Sequence, residues 1–178
     1  MQEIGLKMKR NTGHMDGGET ARFDRFDRAI LAALAGNGRM SVADLARRIG
    51  LSKSPTQARL KRLETAGIIA GYRAMLDPVR LGLAHVAFVE VRLSDTREAA
   101  LQAFNAAVRG VPEVEECHMM ASSFDYLLKV RTADIRAYRR SLGESLSSLP
   151  HVSHTSTYVV MESVKDRDVA DDRRAEGN

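Results

Sequence analysis

The stretch VADLARRIGLSKSPTQARLK, residues 42–61, decides the fold of the first half of the chain. Its apolar side chains recur at helical spacing on both sides of a break at Gly50, and glycine readily adopts the left-handed backbone that ends a helix. Ser41 fits the N-cap of the first helix, while Ser52 or Ser54 fits the N-cap of the second. Two short capped helices joined by a tight turn are typical of a helix-turn-helix, which we predict here.

The flanking sequence completes a small module over residues 23–77. A preceding helix has one apolar face and stops at the glycines around Asn37. After Gly67, residues 68–76 are rich in strand-forming types and predict a short hairpin, which would form a wing. We assign residues 1–22 to a flexible arm and 78–83 to a linker.

The second half alternates between strand and helix patterns over residues 84–164. Predicted strands cover 85–93, 114–121, 124–131 and 152–161. Asp95 and Glu98 are spaced as a capping box that would open the first helix. The inward positions of the second helix are predicted to be Ile135, Tyr138, Leu142, Leu146 and Leu149. The order β-α-β-β-α-β predicts a ferredoxin-like domain with two helices on one face of an antiparallel sheet, followed by a charged tail over 165–178, and makes the chain α+β.

Charge divides the chain in the same place. Residues 23–80 carry a net charge of +6, whereas residues 81–178 carry −3. A basic module joined to an acidic one indicates a polyanion partner for the first half only. We therefore expect nucleic acid as that partner.

The outward face of the second helix of the motif presents side chains that suit a DNA major groove. Gln57 can pair with adenine, Lys61 or Arg62 with guanine, and Ala58 can contact a thymine methyl group. The alternative is an ordinary three-helix bundle with a solvated charged face. The predicted DNA-binding set is Ser54, Gln57, Ala58, Lys61 and Arg62 for bases, Lys53, Arg47, Arg48 and Arg59 mainly for phosphates, and Arg73 on the wing.

Composition excludes several classes of protein. The chain of 178 residues is 44% hydrophobic and 28% charged, as in an ordinary globular protein rather than a disordered or collagen-like chain. Its apolar runs fall well below the ~18–20 residues of a membrane span, so we expect no membrane partner. The single cysteine excludes an internal disulfide framework, and the N-terminus lacks the apolar segment of a secretory signal. We expect a cytoplasmic protein.

Neither a metal site nor a catalytic site is expected. Cys117 and His118 are neighbours on a predicted strand and so point to opposite faces, while His151 and His154 begin another strand. The sequence lacks a glycine-rich phosphate loop, a nucleophile elbow and an HExxH pair. We therefore expect no catalytic residues and no cofactor.

From Phe23 to about Lys165, some four-fifths of the chain, the sequence resembles the Lrp/AsnC (feast/famine) family of bacterial transcription factors. The resemblance is specific because many short stretches match in the right order. They are residues 24–31, 38–41, 45–52, 59–64, 67–72, 88–91, 116–118, 124–129, 138–140 and 157–161.

This resemblance implies a regulator of amino-acid metabolism with three kinds of partner: double-stranded DNA, an amino-acid effector and other copies of the chain. Family members form dimers and often tetramers or octamers. The recognition helices of a dimer would face successive major grooves. Within the family, the resemblance points to the subgroup that activates proline dehydrogenase expression in response to proline. Leucine-, branched-chain- and lysine-responsive subgroups stay open.

The resemblance also implies an effector site around the loop between the second and third strands. The residues at those positions are Ser122, Ser123, Phe124, Asp125, Tyr126, Thr155 and Thr157. Asp125 could pair with the ligand ammonium; the alternative is that Asp125 caps the turn and Tyr126 packs in the core. Ser122 departs from the glycine usual in the family, and serine adopts positive φ poorly, which predicts a changed loop.

Two other functions compete with a ligand-responsive regulator. An architectural DNA-binding protein would use its second domain for assembly alone, and Ser122 favours that reading. An enzyme on a ferredoxin-like fold would need a catalytic constellation, and the sequence carries none.

Overall fold

The computed structural model describes residues 23–165. The predicted arm, residues 1–22, and the tail from residue 166 onward lie outside the described residues. The chain divides into two compact units between Arg73 and Ala74. No helix in the described range is long and apolar enough to cross a bilayer.

The first unit holds three helices: α1 Arg25–Gly36, α2 Val42–Ile49 and α3 Lys53–Thr65. They pack around a core of four residues, Ile30, Ala33, Leu45 and Leu63. The predicted order of helices in this unit is confirmed.

The ends of these helices follow from local hydrogen bonding. The Oδ1 atom of Asp24 accepts from the backbone N–H of Asp27, and an Asp27 oxygen accepts from that of Asp24, which makes a reciprocal cap for α1. Ser41 caps α2 by accepting from the N–H of Asp44 at 3.1 Å. Gly50 ends α2 with φ of 72°, a conformation that favours glycine.

The hairpin predicted over 68–76 is wrong, because this segment contains no strand. A two-stranded hairpin is marginally stable without a packed face, and here Met75 and Leu76 are exposed. Tyr72 holds the segment to α3 by donating to Glu64 at 2.8 Å. The chain beyond α3 is therefore irregular where the wing was expected.

The second unit is a four-stranded antiparallel sheet with helices between its strands. Its elements are β1 His85–Leu93, α4 Glu98–Val108, β2 Val114–Met119, β3 Tyr126–Thr132, α5 Ile135–Ser141, a π-helical turn Leu142–Leu146 and β4 Val152–Val159. The strand order is β2-β3-β1-β4, so β1 is paired along both edges. The predicted β-α-β-β-α-β order is confirmed.

Alternation along β1 explains how the sheet packs. Val89 and Val91 are fully buried on the same face, whereas Phe88 between its neighbours is partly exposed. The buried face meets α4 through Phe104 and α5 through Tyr138.

Two local predictions in this unit are wrong. The capping box at Asp95 and Glu98 does not form: the N-cap is Arg97, and Asp95 instead accepts from the backbone and guanidinium of Arg97. Ile135 is 54% exposed rather than inward, because it is the first residue of α5 and helical side chains point towards the N-terminus, beyond the end of the helix. Tyr138, Leu146 and Leu149 are buried as predicted.

Candidate nucleic-acid interface and effector loop

Helix α3 presents the predicted base-reading side chains to solvent. Thr56 is fully buried and Leu63 nearly so, which fixes the face that packs against the other helices. The opposite face carries exposed side chains, which are Ser54, Gln57, Ala58, Lys61 and Arg62. Amide, ammonium and guanidinium groups on one exposed helix face can hydrogen-bond base edges in a groove.

A network of ion pairs joins α3 to α1. Arg59 Nη1 lies 2.6 Å from Asp24 Oδ2 and 3.0 Å from Asp27 Oδ1. Arg62 Nη2 lies 2.6 Å from Asp27 Oδ2. Asp27 is 1% exposed, so its charge is buried and both arginines compensate it.

Sequence reasoning missed the burial of Asp27. Asp24 and Asp27 lie at the positive end of the α1 dipole, which favours carboxylates there but gives no sign that Asp27 is buried. The signal that could have found the network is the spacing of Arg59 and Arg62, three residues apart on one side of α3.

The pKa values of Asp24 and Arg59 reflect this network. The pKa of Asp24 is lowered, first by the hydrogen bond from the Asp27 N–H and further by the Arg59 guanidinium. The pKa of Arg59 is raised, first by its hydrogen bond to Asp24. Both groups therefore stay charged, and Arg59 keeps its positive charge at this surface.

The first unit carries further exposed cations. Lys53, Arg48 and Arg73 are exposed, while Arg47 is exposed and bonded to Asp44 at 2.8 Å. Exposed cations around a helix are suited to phosphate contacts, which position a protein on DNA without reading sequence.

The loop between β2 and β3 is held at Asp125. Its Oδ2 atom accepts from the N–H of Leu93 at 2.7 Å, its N–H donates to the carbonyl of Val91 at 2.9 Å, and its carbonyl accepts from the N–H of Met120 at 2.8 Å. The first two bonds bind the loop to the end of β1, and the third joins the two ends of the loop. Asp125 thus holds the loop in place within a single chain, without any ligand.

The rest of this loop is more open. Ser122 and Ser123 are exposed, and the Ser123 carbonyl accepts from Arg92 at 2.8 Å. Among the described non-glycine residues only His151 has positive φ, so Ser122 occupies its position without that strain. The loop therefore accommodates serine at this position without a left-handed backbone.

Tyr126 packs in the core and the two threonines lie on another strand. Tyr126 is buried, with its ring centroid 4.4 Å from that of Phe104, and burial raises its pKa. Thr155 and Tyr126 both pair with Val91, from opposite sides of β1. Thr157 is bonded through its hydroxyl to Tyr138 at 2.6 Å. In one chain, residues 122–125 form a contiguous loop and the threonines are separated from it by β1.

Metal ligands are not grouped in the described part of the chain. No cluster of three or more His, Cys, Asp or Glu side chains occurs within residues 23–165. Cys117 is half-buried against the core and burial raises its pKa, while His118 is exposed and bonded to Glu116.

Comparison with models of known protein families finds a match for each half of the chain. A model described as a winged helix-turn-helix DNA-binding domain matches residues 23–70. A model described as the Lrp/AsnC ligand binding domain matches residues 86–170.

Individual relatives agree with these matches. A proline dehydrogenase transcriptional activator from Rhizobium radiobacter is 64% identical over 148 residues, covering 83% of this chain and 95% of the relative. A leucine-responsive regulatory protein from Salmonella typhimurium is 48% identical over 142 residues, covering 80% and 87%. A crystal structure of a Neisseria meningitidis transcriptional regulator in complex with L-methionine is 33% identical, with a TM-score of 0.78, covering 86% of this chain and 99% of that one.

The fold, the exposed helix and the relatives lead to one assignment. A DNA-binding module and a ligand-binding module occur in the family order, and the identity extends over most of both. The chain therefore belongs to the Lrp/AsnC family of DNA-binding transcription regulators, which are not enzymes.

Proposed function

We propose that this protein activates transcription of genes for proline catabolism when L-proline is present. The observation that carries the proposal is the 64% identity to a proline dehydrogenase transcriptional activator, against 48% to a leucine-responsive regulator. A second activator of the same name, from Rhodobacter capsulatus, is 60% identical over 145 residues.

DNA contact is assigned to α3 and the cations around it. Gln57 and Lys61 read bases because both are exposed and neither is drawn into the Asp27 network. Arg62 reaches a base only by sharing or leaving its bond to Asp27. The remaining contacts are to phosphates, and these make binding fall steeply as salt rises.

The effector is assigned to the loop at 122–126. Thr155 and Thr157 would contribute only across an interface between copies of the chain, because β1 separates them from this loop within one chain. Backbone N–H groups and the hydroxyls of Ser122 and Ser123 can hold a carboxylate. Because one Asp125 oxygen is bonded to Leu93, the other oxygen is the acceptor for the proline ammonium. Because Asp125 already fixes this loop, we expect the loop conformation to change little when the effector binds.

Self-association is supported by exposed apolar surface on the second unit. Phe88 and Tyr158 are paired neighbours on β1 and β4, on the sheet face away from Val89. A run of exposed large apolar side chains precedes β1, namely Met75, Leu76, Val79, Leu81 and Leu83. Such surface is typical of an interface, so we propose a dimer that assembles into tetramers or octamers. Its place of action is the cytoplasm, where its DNA lies.

Fluorescence anisotropy on DNA from upstream of the protein's own gene, titrated over salt with and without L-proline or L-leucine, tests the proposal. We expect specific, salt-steep binding that L-proline shifts and L-leucine does not. A shift by leucine alone would assign the other subgroup, and binding that neither shifts would favour an architectural protein. Absence of binding at low salt would refute the DNA-binding assignment of α3.

A further inference from the structure

The Asp27 carboxylate on α1 is fixed at both of its oxygens. Its Oδ1 atom accepts from Arg59 at 3.0 Å, while Oδ2 accepts from Arg62 at 2.6 Å and from the backbone N–H of Asp24 at 3.2 Å. Asp27 is 1% exposed, so water does not compete for these bonds. A buried carboxylate depends on such partners, and this one gives the Arg62 side chain a fixed point of attachment.

The two arginines at this carboxylate are held differently. Arg59 also pairs with Asp24 at 2.6 Å, and its guanidinium carbon lies 5.4 Å from the centre of the Phe26 ring. The Arg62 side chain is 60% exposed, and within residues 23–165 its ion pair is with Asp27 alone. Arg59 therefore serves the packing of α3 on α1, whereas Arg62 is attached at one end and open to solvent.

The attachment leaves other donors of Arg62 accessible to DNA. A guanidinium group has five N–H donors in a planar fork, and the bond to Asp27 is made through Nη2. Arg62 borders an open cleft together with Ala58, one turn earlier on the exposed face of α3. A planar fork at this place matches the two acceptors of guanine, O6 and N7, in the major groove.

This restraint favours bases over phosphates. To follow a phosphate away from its present position, Arg62 must release Oδ2 of Asp27, and the buried carboxylate then loses a partner. The new contact would be exposed and screened by salt, so it returns only a small gain. A guanine at the right place needs no release, because Nη2 keeps its bond while other donors meet the base. The ion pair therefore lowers affinity for unrelated DNA more than affinity for a specific site.

We propose that Asp27 is a positioning residue for DNA recognition, which holds Arg62 for a guanine contact and keeps it from phosphates. The proposal rests on the assignment of α3 as the reading helix. It adds a residue that is too deeply buried to contact DNA and that sets the ratio of specific to non-specific affinity.

The first test is Arg62→Ala, in which Arg59 still compensates Asp27. Fluorescence anisotropy over a range of salt gives the affinity for a duplex selected by the wild-type protein from random sequences, and for an unrelated duplex of equal length. We expect the selected duplex to bind about tenfold more weakly. The salt slope on the unrelated duplex should stay unchanged, whereas Lys53→Ala, which removes an exposed cation, should lower it by about one.

The second test is Asp27→Asn, which keeps the shape of the side chain but removes the charge that holds Arg62. We expect the salt slope on the unrelated duplex to steepen by about 0.9, as one more phosphate contact predicts. The ratio of the two affinities should fall about fivefold or more. Both changes should disappear when Asp27→Asn is made in the Arg62→Ala background, where no guanidinium is released. A merely structural role of Asp27 would weaken binding in both backgrounds alike.

Glu64→Gln is the matched control for the change of charge. It removes one carboxylate charge from α3 itself, where the Glu64 side chain accepts from the Tyr72 hydroxyl. This variant should change both affinities by the same factor and leave their ratio unchanged. Thermal melts identify the variants that are folded at the assay temperature, and if Asp27→Asn is not folded, the Arg62→Ala result decides alone.

Two results would overturn the proposal while leaving α3 as the reading helix. One is an Arg62→Ala variant that lowers the salt slope on unrelated DNA as much as Lys53→Ala does. The other is an Asp27→Asn variant that acts equally in both backgrounds. If instead Lys61→Ala and Arg62→Ala both keep the wild-type affinity for the selected duplex, the assignment of α3 fails together with the proposal.

Discussion

The guanidinium of Arg62 on α3 lies 2.6 Å from the buried carboxylate of Asp27 on α1. One side chain on the exposed face of the recognition helix is thus also bonded to the neighbouring helix. Arg59 shares the same carboxylate at 3.0 Å. Because a buried charge is costly without partners, this cluster couples the position of α3 to the stability of the first unit.

Replacing Asp27 by Asn should lower the free energy of unfolding of the first unit by about 2–3 kcal/mol, because two arginines lose a charged acceptor. Urea denaturation followed by circular dichroism measures the change. Asp44→Asn is the matched control, since Asp44 is exposed and its pair with Arg47 should contribute less than about 1 kcal/mol. Equal losses in the two variants would contradict a buried role for Asp27.

Substitution of Lys61 and substitution of Arg62 should have different effects on stability. Lys61→Ala should weaken specific DNA binding by about 1–3 kcal/mol while leaving the unfolding free energy unchanged, since Lys61 is exposed. Arg62→Ala should lower stability as well, because Asp27 loses a partner. Anisotropy and urea titrations on both variants check this, with Arg109→Ala in the second unit as the charge control. Wild-type DNA affinity in a Lys61→Ala, Arg62→Ala double variant would mean that α3 is not the reading helix.

The pair of Asp95 and Arg97 predicts an acid-dependent loss of stability. The Arg97 guanidinium and backbone N–H lower the pKa of Asp95 from 3.8 to about 2. Because this pKa is lowered by folding, ionised Asp95 stabilises the fold above pH 3.8, and that contribution is lost as pH falls towards 2. The difference in unfolding free energy between wild type and Asp95→Asn should therefore shrink over this range. A difference independent of pH would contradict the assignment.

Asp125 should respond differently to two substitutions. Asp125→Asn keeps an acceptor for the Leu93 N–H but removes the charge, so the response to L-proline should vanish while basal DNA affinity stays unchanged. Asp125→Ala should in addition cost about 1–2 kcal/mol of stability, because the Leu93 N–H loses its partner. Anisotropy with and without L-proline, beside urea titrations, distinguishes the two effects. A full proline response in Asp125→Asn would remove Asp125 from the effector site.

The elements predicted best from the sequence are those determined by residues close together along the chain. Strand β1 was predicted at its observed bounds because Val86, Phe88 and their neighbours include the β-branched and aromatic types that favour a strand. Gly50 was predicted to end α2 because no other residue type adopts that backbone as easily.

The errors arose where distant contacts or the start of a helix decide the outcome. Asp27 contacts Arg59 and Arg62, which are 32 and 35 residues further along the chain, so its burial has no local signal. Ile135 has the right spacing for an inward position, but it is the first residue of α5, and spacing does not show where a helix begins.

The central place of β1 in its sheet gives the connection between the two units a mechanical property. The chain passes from the DNA-binding unit through residues 74–84 straight into a strand that is bonded along both edges. Tension on that connection, as when bound DNA bends, is therefore applied to one of the two inner strands of the sheet, whose neighbours on both sides must yield with it. Amides of the inner strands β1 and β3 should be the last in the sheet to exchange with solvent, so the connection should stay anchored while the edge strands β2 and β4 open.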